Sequence, residues 1–256
     1  MTRFRERVAC VVGAAGGMGY ACATRLAAEG ARVAICDRDG ERLVAAAAKI
    51  EGSGAFELDV RDEVAVAKTI ERIESSMGPL DHLVVSSGVF RAEPFFDTPP
   101  EIWGELFAVN LFGALSVLRA VGGRMKVRKR GSIVVVASQS AKVVRVRQAA
   151  YGASKAALTY ATKAIGLELA PLGVRVNVVQ PGTTDTPLAR NLWDQGKGSA
   201  DVHIRGALES FRAPIPLGKV GTADDVAGAV VFLLSDDAGH ITMSEIVVDG
   251  GSSYIA

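Results

Sequence analysis

A tyrosine and a lysine stand four residues apart in the string YGASK, Tyr151 and Lys155. They follow, by thirteen residues, Ser138, which closes the apolar run SIVVVAS (132–138). Four residues apart on a helix puts the phenol and the ammonium on one face. A free tyrosine titrates near ~10, too high for a base at neutral pH. A neighbouring cation favours the phenolate. A drop of roughly three units needs ~4 kcal/mol of differential stabilisation, which a closed, desolvated cleft can supply. The chemistry would be proton transfer, with a serine hydroxyl at hand. A helix start with an ordinary polar pair has the same spacing, so the surrounding elements must decide.

Those elements alternate. Apolar, β-branched runs lie at 7–12, 31–36, 54–58, 81–86, 131–137, 174–179 and 245–249. Longer amphipathic, alanine-rich stretches lie between them, near 17–29, 39–50, 62–77, 100–128, 150–171 and 222–235. About seven near-continuously apolar strands, each followed by a helix, predict an α/β fold: one doubly wound (Rossmann) parallel sheet covered by helices on both faces. No repeat or linker divides the 256 residues, so one domain over 1–256 is expected. The segment 183–216 breaks the rhythm and is too long for a plain connection. Leu188, Leu192, Trp193, Ile204, Leu208 and Phe211 give it apolar residues to pack, which predicts a helical substrate lid.

Ligands of such a sheet bind outside the carboxyl ends of the strands. Ser138 stands at one such end. VVGAAGGMG (11–19) stands at another and opens the first helix. Glycines there allow positive φ and close approach to the backbone, and the helix N-terminus favours a pyrophosphate. Gly13, Gly17, Met18 and Gly19 are therefore candidates to hold a dinucleotide, although the spacing is GxxxGxG rather than GxGxxG. Asp37 ends the second strand, 24 residues after Gly13. Its carboxylate would accept both ribose hydroxyls and repel a 2′-phosphate, so NAD is expected over NADP. Arg38 complicates this, because it could hold that phosphate. Asp59 and Val60, after the third strand, are candidates for the adenine.

The glycine spacing, Asn110, Ser138, Tyr151 and Lys155 together resemble the short-chain dehydrogenase/reductase family, over essentially the whole chain. The resemblance implies a single doubly wound domain, usually a homotetramer, with the 100–128 and 150–171 helices as dimer faces. It implies Tyr151 as acid/base, with Lys155 lowering its pKa and holding the ribose. Ser138 would bind the reacting oxygen, and Asn110 a water in a proton relay. PGTTDT (181–186) resembles the family's loop over the nicotinamide, which adds Pro181, Gly182, Thr184 and Thr186 as cofactor candidates. Ser86 and Gly88 join them from VSSG (85–88), where the family usually has NNAG. Val12 stands where a threonine is usual. These two departures bear on local stability rather than on catalysis.

Further strings, among them LW (192–193), IRG (204–206), IPLGK (215–219) and HIT (240–242), resemble the branch of that family acting on 2,3-dihydro-2,3-dihydroxybenzoate. The implied reaction is hydride transfer from a hydroxyl-bearing ring carbon to NAD. The ketone would tautomerise to an aromatic ring, 2,3-dihydroxybenzoate. A carboxylate substrate calls for a cation. Arg145, six residues before Tyr151, sits where that branch has arginine, and its planar fork suits a carboxylate. Arg147, Arg205 and Lys219 are rivals. Gln148, with Ser138 and Tyr151, completes the substrate candidates. A ring with an amino group at C2, giving 3-hydroxyanthranilate, and a general secondary-alcohol dehydrogenase or ketone reductase are the alternatives.

Other classes find less support. Net charge is +1, from 29 basic and 28 acidic residues, which suggests neither nucleic acid nor an anionic membrane. RMKVRKR (124–130) reads as a helix end, where cations favour the dipole. Cys10, Cys22 and Cys36 lack metal or CxxC spacing and read as small buried hydrophobes in a reducing compartment. His82 and His240 read as structural, His203 as a lid residue within reach of substrate, and no metal site is expected. No signal peptide or membrane-length run is apparent, so the expected location is cytoplasmic. No GxSxG elbow supports a hydrolase.

Overall fold

The computed structural model describes residues 2–195 and 198–253. The main strands are β1 (Val8–Val12), β2 (Arg32–Asp37), β3 (Ser53–Glu57), β4 (His82–Val85), β5 (Gly131–Val136) and β6 (Val174–Pro181). Two-residue strands β7 (Thr184–Asp185) and β8 (Gly221–Thr222) pair with each other, and β9 (Glu245–Val248) closes the main sheet. That sheet is parallel throughout, in the order β3-β2-β1-β4-β5-β6-β9.

The apolar strands are explained by two cores. Val8, Cys10 and Val12 of β1 join the core on one face, and Ala9 and Val11 join the core on the other. Successive side chains alternate across a strand, so burial on both faces demands an unbroken apolar run. Helices α3 (Glu63–Met77), α5 (Ala114–Arg128) and α6 (Ala149–Leu169) cover the first face. Helices α1 (Gly17–Ala28), α2 (Gly40–Ala47) and α9 (Ala223–Leu234) cover the second. All three cysteines are buried and free, as expected. Caps set several helix starts: Asp39 accepts from Arg42 N, Asp62 from Ala65 N, and Thr222 and Asp225 form a reciprocal capping box.

The expected helix over 100–128 is continuous but not uniform. It comprises α4 (Pro100–Phe107), a π-helical turn (Ala108–Gly113) and α5. The stretch Pro100–Arg128 is long and apolar enough to cross a bilayer. Here its apolar face, with Leu106, Val117, Leu118, Val121 and Met125, is buried in the protein core. The basic run at its end is paired rather than merely solvated. Arg124 and Arg128 meet Glu74 at 3.2 and 2.9 Å, and Arg130 meets Asp81.

The segment 183–216 contains helices α7 (Pro187–Asp194) and α8 (Ala200–Arg205). Its apolar residues do not all pack inward. Leu208 and Phe211 are 87% and 82% exposed, and Leu188 is half exposed, which departs from the expectation. His240 is exposed as well, so it has no structural role of the buried kind that His82 plays.

Candidate active site

The chain crosses from one half of the sheet to the other between β1 and β4. At their carboxyl ends opens a cleft of about 660 Å³. Every cofactor candidate except Pro181, Gly182 and Thr184 lines it, as do Tyr151 and Lys155.

Its floor is the glycine turn. Gly13 has φ +85, and a Cβ there would lie 2.5 Å from the Ser87 amide nitrogen. A Cβ on Gly19 would lie 2.0 Å from the Gly13 carbonyl oxygen. No side chain fits at either position, so the turn packs directly on the VSSG loop. Ser86 N donates to Val12 O at 2.8 Å. The Ser87 hydroxyl is buried without a partner, so the serines tie the loop by backbone packing rather than by side chain. Asp37 accepts from Ala15 N at 3.0 Å and Asp39 N at 3.3 Å, which fixes its carboxylate at the rim of the turn. Asp59 is engaged by Arg61 at 3.0 Å, which holds its carboxyl below the ordinary value.

Lys155 is 4% exposed, and its Nζ donates to Val136 O at 3.3 Å. Burial pushes its pKa down to about 8. Burial also raises the Tyr151 phenol, and a hydrogen bond with the Ser138 side chain pulls the other way. Burial by the protein's own atoms thus moves the two groups' proton affinities apart, Lys155 down and Tyr151 up. The Phe90 ring packs edge-on against Tyr151 at 4.8 Å and shields it.

Asn110 lies in the π-helical turn and is fully buried. Its Oδ1 accepts from Val89 N at 2.8 Å, and its Nδ2 donates to Val89 O and Ser154 Oγ at 3.0 and 3.1 Å. Ser154 Oγ donates in turn to the Tyr151 carbonyl at 2.7 Å. The side chain therefore clamps the β4 loop to the helix carrying Tyr151 and Lys155. Such π-turns often occur at functional sites. Gly88 completes the packing: a Cβ there would lie 3.2 Å from Asn110 Oδ1 and 3.3 Å from Lys155 Nζ.

Of the remaining candidates Thr186 lines the cleft, and the others stand outside its lining. Gly182 N donates to Val248 O, and a Cβ on Gly182 would meet that of Asp249 at 2.5 Å. Pro181 pairs with Val248, and Thr184 lies in β7. Thr186 caps α7, accepting from Ala189 N at 3.2 Å. Ser138 accepts from Ser140 N at 3.1 Å, and Gln148 accepts from Ser140 Oγ at 2.8 Å. Arg145 is 9% exposed, and its Nε has no partner. Its rivals Arg147 and Arg205 are exposed and paired, with Glu93 at 3.7 Å and Asp201 at 2.9 Å, and Lys219 is exposed.

Two residues of the cleft escape sequence reasoning. Arg42, on α2, brings its guanidinium within 2.8 Å of where a Gly16 Cβ would be. Phe90 covers Tyr151. Neither belongs to a spaced motif; only the packing of α2 and of the β4 loop places them.

A doubly wound sheet, a glycine turn at its switch point and a Tyr–Lys pair lining the same cleft define a dinucleotide-dependent oxidoreductase of the Rossmann type. A family model described as enoyl-(acyl carrier protein) reductase matches residues 13–253. The chain is 43% identical to the 2,3-dihydro-2,3-dihydroxybenzoate dehydrogenase of Bacillus subtilis, over 96% of each chain. It is 38% identical to the vibriobactin-specific 2,3-dihydro-2,3-dihydroxybenzoate dehydrogenase of Vibrio cholerae, over 95% of this chain and 94% of that one. A solved structure of a short-chain dehydrogenase/reductase family protein superposes with a TM-score of 0.85 at 31% identity, over 99% of this chain and all of that one. The chain belongs to the short-chain dehydrogenase/reductase family, whose members use a nicotinamide cofactor.

Proposed function

We propose that this enzyme oxidises the ring alcohol of 2,3-dihydro-2,3-dihydroxybenzoate, using NAD, to give 2,3-dihydroxybenzoate. The observation that carries the substrate class is Arg145. It is a nearly buried guanidinium with an unpartnered Nε, in the loop that leads into the Tyr151 helix. Burying a cation costs several kcal/mol unless it is paired, and a planar carboxylate is the partner its fork matches. The relatives named above act on the same carboxylated ring, which supports the reading.

The residues divide the work. Tyr151, as phenolate, takes the hydroxyl proton of the substrate. Ser138, whose side chain acts on the Tyr151 phenol, holds the reacting oxygen against it. Lys155 supplies the positive charge that favours the phenolate. Asn110 keeps the β4 loop and the Tyr151 helix in register. A nicotinamide cofactor held along the glycine turn and Asp37 would supply the acceptor for the hydride of the hydroxyl-bearing ring carbon. Loss of that hydride and of the hydroxyl proton leaves a ketone, which tautomerises to the catechol. Asp37, fixed at the rim of the turn, favours the ribose diol of NAD over a 2′-phosphate.

The same reading extends to a cytoplasmic homotetramer with no nucleic-acid or membrane partner. Phe112, Tyr160 and Leu167 stand exposed on the helical stretches expected as subunit faces, which supports the assembly. The test of function is product identity. Incubation with the diol and NAD should form NADH and the catechol carboxylate one to one, and Tyr151→Phe should abolish this while leaving cofactor binding intact. NADH formation without the catechol would move the enzyme to another alcohol.

A further inference from the structure

Two arginines, one in the loop before the Tyr151 helix and one reaching the loop between β6 and β7, form no ion pair among the described residues. Arg145 lies in the loop before α6. Arg212 comes from the far end of the 183–216 segment. There Ala207 N donates to Arg212 O at 3.0 Å and Arg212 N to Ala207 O at 2.9 Å, an isolated antiparallel bridge. Gly206, at φ +77, packs so closely that a Cβ would lie 2.6 Å from the Arg212 carbonyl oxygen. The backbone of Arg212 is thus held at two points. Its guanidinium reaches back to the loop between β6 and β7, with Nη1 3.5 Å from Thr183 Oγ1.

Other arginines of this region are paired: Arg147 with Glu93, Arg190 with Asp185 and Arg205 with Asp201. Among the described residues neither Arg145 nor Arg212 forms an ion pair. Burial lowers Arg212 below its ordinary value, and the Arg145 charge adds to this. Asp249 acts on Arg145 from a distance. Its carboxylate, though, is committed to Gly251 N, Ser252 Oγ and Ser253 N at 2.9, 3.3 and 2.8 Å. His203 is the third member of the cluster. Its Nδ1 lies 2.6 Å from the Ser199 carbonyl oxygen. Burial holds it below its ordinary value, and so do the charges of Arg212 and Arg145, so the ring is neutral and the two guanidiniums are the cations.

Arg145 is nearly buried, Arg212 is partly buried and the first charge bears on the second, and like charges so placed without a counter-ion are costly. An anion with two coplanar oxygens relieves that cost and fits both forks. Taken together with the carboxylate reading proposed above, on which this rests, the geometry points to Arg212 as the second cation of a two-arginine clamp for the substrate's ring carboxylate. Selectivity for a carboxylated ring is then built half by the lid and half by the loop before α6. Arg212 is a substrate-binding residue and takes no part in proton transfer.

The test compares wild type, Arg212→Gln and Arg212→Lys on the carboxylated diol and on the same cyclohexadiene diol without its carboxylate. In Arg212→Gln, KM for the carboxylated ring should rise about 10- to 100-fold. Its kcat/KM for the uncharged ring and its KM for NAD should stay within about twofold of wild type. Arg212→Lys should recover part of the loss. Equal damage to both substrates, or none to the carboxylated one, overturns the clamp. If wild type oxidises neither ring, the functional reading has failed on its own, and the clamp is tested by titrating benzoate against Trp193 fluorescence. Weaker benzoate binding in Arg212→Gln, by about tenfold or more, keeps the clamp. Equal binding removes it.

Discussion

Lys155 Nζ donates to the Val136 carbonyl at 3.3 Å, so the ammonium next to Tyr151 is held by the end of the strand that also delivers Ser138. One polar contact does not repay its burial, and its pKa falls to about 8 from an ordinary 10.5. A depressed lysine pKa destabilises the fold below the folded value, and the penalty fades as pH rises toward the unfolded one. Lys155→Met should therefore raise unfolding free energy at neutral pH by about 1–3 kcal/mol. It should also lower turnover at least ~100-fold. Denaturant unfolding at neutral pH and above pH ~10.5 checks this: the stability gap should close at the higher pH. A less stable Lys155→Met protein at neutral pH would contradict the account.

Gly13 has no room for a side chain. Alanine there combines φ +85 with a 2.5 Å approach to the Ser87 nitrogen. Gly13→Ala should lose about 2–4 kcal/mol of stability and most cofactor binding. Gly88→Ala should act differently. Its Cβ meets the flexible tip of Lys155 at 3.3 Å, so kcat should fall with a much smaller change in thermal midpoint.

Cofactor choice should turn on Asp37. Arg38 and Arg42 both line the cleft beside it. Asp37→Ser removes the carboxylate that repels a 2′-phosphate and leaves both arginines to receive one. KM for NAD should rise about tenfold or more, and NADP should become the comparable or better cofactor. Steady-state kinetics with each dinucleotide decides this. An unchanged preference would assign the choice elsewhere.

His82 is buried at the start of β4, edge-on to Phe4 at 5.1 Å, with an unpartnered Nδ1. Burial pushes its pKa down to about 4 from an ordinary 6.5. Its contribution is whole above pH ~6.5 and is lost as pH falls through the folded value of about 4. Over that interval His82 should account for up to ~3 kcal/mol. His82→Phe should remove that part of the acid sensitivity, seen as a lower midpoint in acid unfolding monitored by circular dichroism.

Much of this architecture is legible before any coordinates. The β/α alternation follows from strands that feed two cores, such as β1, which splits Val8, Cys10 and Val12 from Ala9 and Val11. Tyr151, Lys155 and the glycine turn are legible because each depends on local spacing. What spacing does not encode is harder to read. The π-turn at Asn110 changes hydrogen-bond register without changing the apolar pattern. Arg42 and Arg212 reach their sites through tertiary packing of α2 and of an irregular segment. Leu208 and Phe211 read as packing residues because apolar side chains usually are, yet both face outward.

The most direct test is the initial rate of NADH formation by the purified enzyme with trans-2,3-dihydro-2,3-dihydroxybenzoate, beside the 2-amino analogue. Rapid turnover of the diol with NAD, and slow turnover of the amino compound, is the predicted result. Preference for the amino ring, or no oxidation of either ring, would contradict the proposed substrate while leaving the dehydrogenase fold and family intact.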